Sequence, residues 1–266
     1  MTRKPVLIPR PETEQWTSEL AEKISSISRT NHRPLRILDL CTGTACIPLL
    51  LCTLLNNRDT QVAALGIDIL SDACKLARDN IASITVSPAS SLAVQQCNIF
   101  DRDFWKTVEI SFCQLRGVGP GQDIFPLDVI TANPPYIPLS QWQQLPIEVK
   151  DWEDPGALLG DPYPSNDDIG SNCSAGTKGL TFYERIRDLV SSPDILSPNG
   201  ILAMEVGDGQ ADDVACLFDT LLGPVEVWKD WWGKERAVFV YGVGLSALMQ
   251  PSSTNLHTSY ASKDST

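Results

Sequence analysis

Short apolar runs that stop abruptly at polar or helix-breaking residues constrain this chain most. Five of them, at 36–40, 62–67, 92–96, 128–132 and 200–205, have the length and composition of buried strands. Helical spacing fills the gaps: a segment running to Leu55, then 72–81, 101–112 and 181–190. Alternating strands and helices close as right-handed βαβ units on a parallel sheet. A helix over Glu12 to Ser28 comes first, with Trp16, Leu20, Ile24 and Ile27 on one face. Ser71 is placed to cap the helix that begins at Asp72. A helix over 210–222 precedes two strands, 225–231 and 236–243, joined at Gly233-Lys234 as an antiparallel pair at the sheet edge. The expected fold is α/β and Rossmann-like: a mostly parallel seven-stranded sheet, a C-terminal antiparallel hairpin, and helices on both faces.

With 266 residues, 42% of them hydrophobic, the chain can bury a proper core. Three segments are expected: an N-terminal piece over 1–35, a catalytic-type domain over 36–245 with a flexible insertion at 161–178, and a disordered tail over 246–266. The insertion and tail are expected from their Ser, Asn, Asp, Gly, Pro and Thr content. No apolar run is long enough to span a bilayer. A net charge of −12 disfavours tight binding to a phosphate backbone. The eight cysteines form no C-x-x-C pair and read mostly as buried small hydrophobes in a reducing compartment. With two histidines, His32 and His257, a histidine-based metal site or a Ser/His triad is not expected.

The run 128–132 ends at Asn133-Pro134-Pro135-Tyr136. Neither proline can donate a ladder hydrogen bond, so the strand leads into a stiff, extended elbow at its carboxyl end. Open α/β sheets bind their ligands at that end. The Asn133 side-chain oxygen and a neighbouring carbonyl can accept two hydrogen bonds from one NH2 group, while the Tyr136 ring lies against a flat substrate. That suits a planar amide or an exocyclic amine. A second site forms where the run ending in Asp39-Leu40 enters the turn Cys41-Thr42-Gly43-Thr44-Ala45 and then a helix. The turn brings backbone N–H groups and a helix's positive end toward an anion or carboxylate. Asp68, at the end of the next run, can accept hydrogen bonds from ribose hydroxyls. The three-glycine dinucleotide fingerprint is not met, which argues against NAD. In a parallel sheet both sites face one edge, as a cofactor beside an NH2-bearing substrate.

These landmarks resemble the HemK/PrmC family of S-adenosylmethionine-dependent methyltransferases, which modify a glutamine side chain of peptide-chain release factors. The resemblance covers roughly residues 5–243. It rests on Ile8-Pro-Arg-Pro-Glu-Thr-Glu14, Leu38-Asp-Leu-Cys-Thr-Gly-Thr44, Gly66-Ile-Asp68 and Asn133-Pro-Pro-Tyr136. Gly179-Leu180 with Tyr183, Glu205-Val-Gly with Gln210, and Gly233-Lys-Glu-Arg236 extend it. The resemblance implies that Cys41, Thr42, Gly43, Thr44 and Ala45 wrap the methionine part of the cofactor. Asp68 would hold the ribose, and Asn98 with Ile99 would flank the adenine. Asn133, Pro134 and Tyr136 would be catalytic, with Asn133 also near the sulfonium. Pro135, Arg10 and Glu12 would join them in binding substrate. It further implies a release factor as protein partner, a monomer, no nucleic acid or membrane partner, and a mitochondrial location with a cytoplasmic alternative.

Three positions depart from the family pattern. Cys41 and Ala45 stand where glycine is usual, and a left-handed backbone at Ala45 would cost about 1–2 kcal/mol. Asn98 replaces a common Asp, keeping an acceptor and losing the charge. The chain starts almost at the catalytic domain, without the family's N-terminal helical domain. Two other functions are compatible with the elbow and turn: N6-adenine methylation of DNA or RNA, and a cofactor-binding module with impaired catalysis.

Overall fold

Seven strands form one twisted layer, and every polar residue singled out above lies at or near one of its edges. The computed structural model describes residues 1–27, 33–84, 87–88, 90–119, 124–161 and 178–245. The expected insertion (apart from Asp161 and Lys178), the expected tail, Cys173 and both histidine positions His32 and His257 lie outside the described residues. In chain order the elements are α1 (Pro11–Ser26), β1 (Leu35–Leu40), α2 (Cys46–Asn56), β2 (Val62–Asp68), α3 (Ser71–Ser83) and β3 (Ser91–Gln96). Then come α4 (Phe104–Leu115), β4 (Leu127–Ala132), α5 (Leu139–Trp142), α6 (Ile147–Trp152), α7 (Thr181–Leu189) and β5 (Leu196–Glu205). The last are α8 (Ala211–Phe218), β6 (Val225–Lys229) and β7 (Glu235–Tyr241).

The sheet order is β3-β2-β1-β4-β5-β7-β6, parallel through β5 and antiparallel at β7 and β6. β1 and β2 are buried along their whole length, as strands covered on both faces must be. One face packs Ile37, Val129 and Phe239 against Trp16 and Leu20 of α1 and Leu51 of α2. The other packs Leu40, Ile130 and Met204 against Phe112 of α4, Tyr183 of α7 and Phe218 of α8.

Some expectations need correction. Ser71 is the first residue of α3 rather than its cap, and no side chain caps that helix. The Leu70 N–H is taken instead by Asp68 Oδ1 at 2.9 Å. α8 stops at Phe218, short of 222, and the chain turns there, with the Leu221 N–H donating to the Phe218 carbonyl at 3.0 Å. Of the described cysteines, Cys52, Cys74 and Cys113 are buried, but Cys216 is exposed.

Strand register sets the site. Leu40 pairs with Ile67 on one side and Ala132 on the other, and Ala132 pairs with Met204. Asp68, Cys41, Asn133 and Glu205 therefore leave the sheet side by side. At about 4.8 Å per strand spacing, Asn133 has Glu205 as its immediate neighbour and Asp68 about 10 Å away.

Candidate active site

A cavity of about 500 Å³ opens above this row of strand ends. Cys41, Gly43, Asp68, Asn98, Ile99, Asn133 and Pro135 line it, so the turn and the elbow share one chamber. Thr42, Thr44 and Ala45 stand behind the turn and are buried. Pro134 is buried, and Tyr136 faces a neighbouring groove of about 480 Å³ with Gly207, Asp208 and Gln210. Arg10 and Glu12 do not line the cavity. Arg10 Nη2 donates to both oxygens of Glu153 at 2.8 Å, and Glu12 pairs with Arg236 at 3.4 Å.

The turn is held from below by two buried acids. Asp39 accepts from the hydroxyls of Thr42 and Thr131, each at 2.6 Å. Burial dominates its environment, with Asp68 adding like charge, and pushes its pKa to about 7 despite those hydrogen bonds. Asp68 Oδ2 accepts from the Gly43 N–H at 2.8 Å. Burial raises its pKa too, opposed by the N–H groups of Leu70, Gly43 and Ile69. The Cys41 thiol is raised well above its usual range by burial and by the charges of Asp68 and Asp39, so it stays a thiol.

Both residues that replace glycine in this turn are left-handed: Cys41 at φ 57° and Ala45 at φ 62°, flanking Gly43 at φ 53°. The turn keeps the glycine conformation without the glycines, at a cost of about 1–2 kcal/mol for each.

Asp39 makes stability pH-dependent in a definite sense. A carboxyl whose pKa is raised by folding contributes most below its unfolded value of 3.8, and that contribution is lost as pH rises toward 7. The full swing is on the order of 4 kcal/mol. Asp39→Asn, which keeps the shape and cannot ionise, should therefore match the parent near pH 4 and exceed it increasingly up to pH 7. A Tm gain of several degrees at pH 8 in thermal melts is expected; equal melting of both proteins at pH 8 would refute this.

The elbow is fixed by residues far away in sequence. Gln210 Nε2 donates to the carbonyls of Tyr136 at 2.9 Å and Lys178 at 2.6 Å, while its Oε1 accepts from the Gly207 N–H at 2.9 Å. Gly179 (φ 71°) lets the chain press on the elbow: a Cβ there would lie 2.2 Å from the Tyr136 carbonyl. The Tyr183 hydroxyl donates to the Glu205 carbonyl at 2.8 Å.

Glu205 is the functional residue that the residue pattern alone did not single out as a site. It is only 4% exposed and accepts, on Oε2, from Thr13 Oγ1 at 2.6 Å and Trp16 Nε1 at 2.8 Å. The Asn133 side chain lies close enough to Glu205 to favour its charged form. A carboxylate only accepts, so it favours the Asn133 amide with its NH2 toward Glu205 and its oxygen toward a ligand. Burial raises the Glu205 pKa, opposed by Thr13, Trp16 and Asn133. A glutamate closing an apolar run, as Asp68 closes its own, was the available signal.

The cavity's remaining walls come from two segments that touch each other. Val6 and Leu7 form one and 155–159 the other. Asp154 N–H donates to the Pro5 carbonyl at 2.9 Å and Ile8 N–H to Glu153 Oε1 at 3.2 Å. Ile69, Ile99, Phe100 and Phe182 make an apolar slot beside Asn98. Asn98 Oδ1 accepts from the Phe100 N–H at 3.0 Å, so the acceptor kept by this asparagine already has a donor, and its NH2 is what it adds to the slot. Gly43 leaves open space where a Cβ would stand. Carboxylate oxygens with spare lone pairs, a bare glycine and a flat apolar slot fit a nucleoside joined to a short polar chain.

This sheet order, with such a cavity at its carboxyl edge, defines a class I S-adenosylmethionine-dependent methyltransferase. Solved structures agree on the fold. The N-terminal domain of human METTL16 in complex with SAH matches with a TM-score of 0.53 and 15% identity, over 90% of this chain and 73% of that one. A human methyltransferase 10 domain containing protein matches with a TM-score of 0.52 and 14% identity, over 90% and 85%. No family model matches the chain. Among curated relatives, the release factor glutamine methyltransferase of Bacillus cereus is 30% identical over 236 residues, 88% of this chain and 68% of the relative. Those of Thermodesulfovibrio yellowstonii (30%, 88% and 68%) and Rhodospirillum rubrum (32%, 87% and 57%) are similar. The chain belongs to the release factor glutamine methyltransferase family. These relatives are bacterial and give no support to a mitochondrial location. Among the described residues no helix is long and apolar enough to cross a membrane.

Proposed function

We propose that this enzyme methylates the side-chain amide nitrogen of a glutamine in a peptide-chain release factor, acting as a monomer with residues 36–245 as its catalytic domain. The observation that carries the reading is the shared chamber: Asp68 and Gly43 on one side, Asn133 with Glu205 beside it on the other. When bound, S-adenosylmethionine supplies a methyl group carrying positive character. Asp68 accepts from the ribose hydroxyls, Cys41 to Ala45 enclose the amino-acid end, and Asn98 and Ile99 border the base.

Asn133 Oδ1 and the Pro134 carbonyl each accept one N–H of the substrate amide, and the Tyr136 ring supports its plane. Engaging both hydrogens turns the nitrogen lone pair toward the methyl group. The nitrogen gains the methyl carbon as that carbon's bond to the donor sulfur breaks, leaving a neutral thioether, and it releases one proton to water, so positioning matters more than a strong base. Arg10 and Glu12 act through their ion pairs, holding the N-terminal segment over the site.

Labelled S-adenosylmethionine incubated with the enzyme, a release factor and oligonucleotides tests this reading. Label on a glutamine of the release factor is expected, whereas label confined to nucleic acid would overturn it. Calorimetry should show cofactor binding, and its absence would point to a module that does not catalyse. Asp68→Ala is expected to weaken that binding about 10–100-fold, the loss of hydrogen bonds to a charged group. An unchanged dissociation constant would rule out the ribose role.

A further inference from the structure

The turn between β6 and β7 carries two of the most exposed large apolar residues described, Trp231 at 83% and Trp232 at 71%. Their position follows from topology. β7 runs antiparallel to β5, with Glu205 opposite Ala237, so the turn before β7 projects beyond the edge where Asn133 and Glu205 leave the sheet. The turn is built rather than slack. Asp230, 5% exposed, accepts on Oδ1 from the N–H groups of Trp232 (2.9 Å) and Lys234 (3.0 Å), and on Oδ2 from Arg236 Nε at 3.0 Å. Arg236 also reaches Glu12 at the start of α1. The backbone that carries the two exposed indole rings is thus fixed, on the sheet edge where Asn133 and Glu205 end.

The same edge carries exposed acids, besides the exposed Lys234 of the turn itself. Asp208 is close enough to act on Arg236, and Asp208 and Asp212 are exposed with no ion pair among the described residues. Indole faces attract guanidinium and ammonium groups, and the exposed carboxylates of Asp208 and Asp212 on the same sheet edge add to that preference. Tryptophans are also among the side chains that concentrate binding energy in protein interfaces.

We propose that Trp231 and Trp232, with Asp208 and Asp212, dock a basic surface of the protein substrate outside the pocket that takes its glutamine. This rests on the glutamine-methylation reading above. A macromolecule delivering a side chain to Asn133 has to arrive across this edge, so the hairpin meets it first.

The test compares two substrates: the intact release factor of the same organism and a short peptide spanning its target glutamine. For the double variant Trp231→Ala/Trp232→Ala, KM for the intact protein should rise at least tenfold. Its kcat, its affinity for S-adenosylmethionine and its kinetics with the peptide should stay as in the parent. Asp208→Asn/Asp212→Asn should raise KM for the protein severalfold, and added salt should do so for the parent. An unchanged KM for the protein in the tryptophan variant overturns the proposal. So does an equal loss with protein and peptide, which would make the turn a support of the site. A parent dimer that the tryptophan variant dissolves, seen by sedimentation, would assign the surface to a second copy instead. A parent that methylates neither substrate refutes the glutamine reading itself, an outcome distinct from all of these.

Discussion

Asn133→Ala is expected to lower kcat for methyl transfer by about 10²–10³-fold while changing cofactor affinity no more than a few-fold. The size is that found when one preorganised hydrogen-bonding group is removed from a reacting centre. The split follows from the geometry. Asn133 sits about two strand spacings from Asp68, beyond the ribose site, and its oxygen is the atom left over once its NH2 faces Glu205. Single-turnover transfer of labelled methyl, alongside calorimetry, measures both quantities. Normal turnover in the variant would remove Asn133 from the chemistry.

Glu205→Gln should have an effect nearly as large, although Glu205 touches no substrate in this scheme. A glutamine keeps one acceptor, enough for Thr13 and Trp16 on the oxygen they already share. Its NH2 then meets the NH2 of Asn133, two donors with nothing to accept. The asparagine amide escapes by rotating half a turn, which points its own NH2 at the substrate nitrogen. We expect kcat to fall about 10²-fold with the fold intact and the cofactor still bound. Glu205→Ala, by contrast, strands the Thr13 and Trp16 donors at about 1–3 kcal/mol each and should also lower the melting temperature. Protonation should act like the Gln substitution. Burial raises this carboxyl, so activity should fail on the acid side above the ordinary glutamate range, as pH drops through the raised pKa. Full activity in a folded Glu205→Gln enzyme would show that Asn133 needs no orientation.

Much of this site was legible in the residues. Strands that end at Asp68 and at Asn133-Pro-Pro-Tyr136 announce themselves because breakers and lone polar groups interrupt apolar runs. What escaped was lateral. Nothing in the run 200–205 says that its last residue lies beside Asn133, because that follows from β5 pairing with β4. Nor does the motif at 8–14 say that Thr13 reaches Glu205, since α1 must first cross the sheet. Conformation was hidden at Cys41 and Ala45 too: the residue types argue against a left-handed turn, and the turn adopts it regardless. Arg10 and Glu12 showed their charge but not their partners, Glu153 and Arg236.

The distance in sequence between Thr13 and Glu205, 192 residues, also bears on how the enzyme is made. A nascent chain leaves the ribosome amino end first, so α1 emerges well before the carboxylate that receives its hydroxyl and indole exists. Val6 and Leu7 likewise have no opposite wall until Glu153 has emerged to grip Ile8 and Arg10. Such long-range closures come late and slowly. The strands that carry Asp68 and Asn133 are therefore in hand before the contact that ties α1 to the neighbour of Asn133 can close.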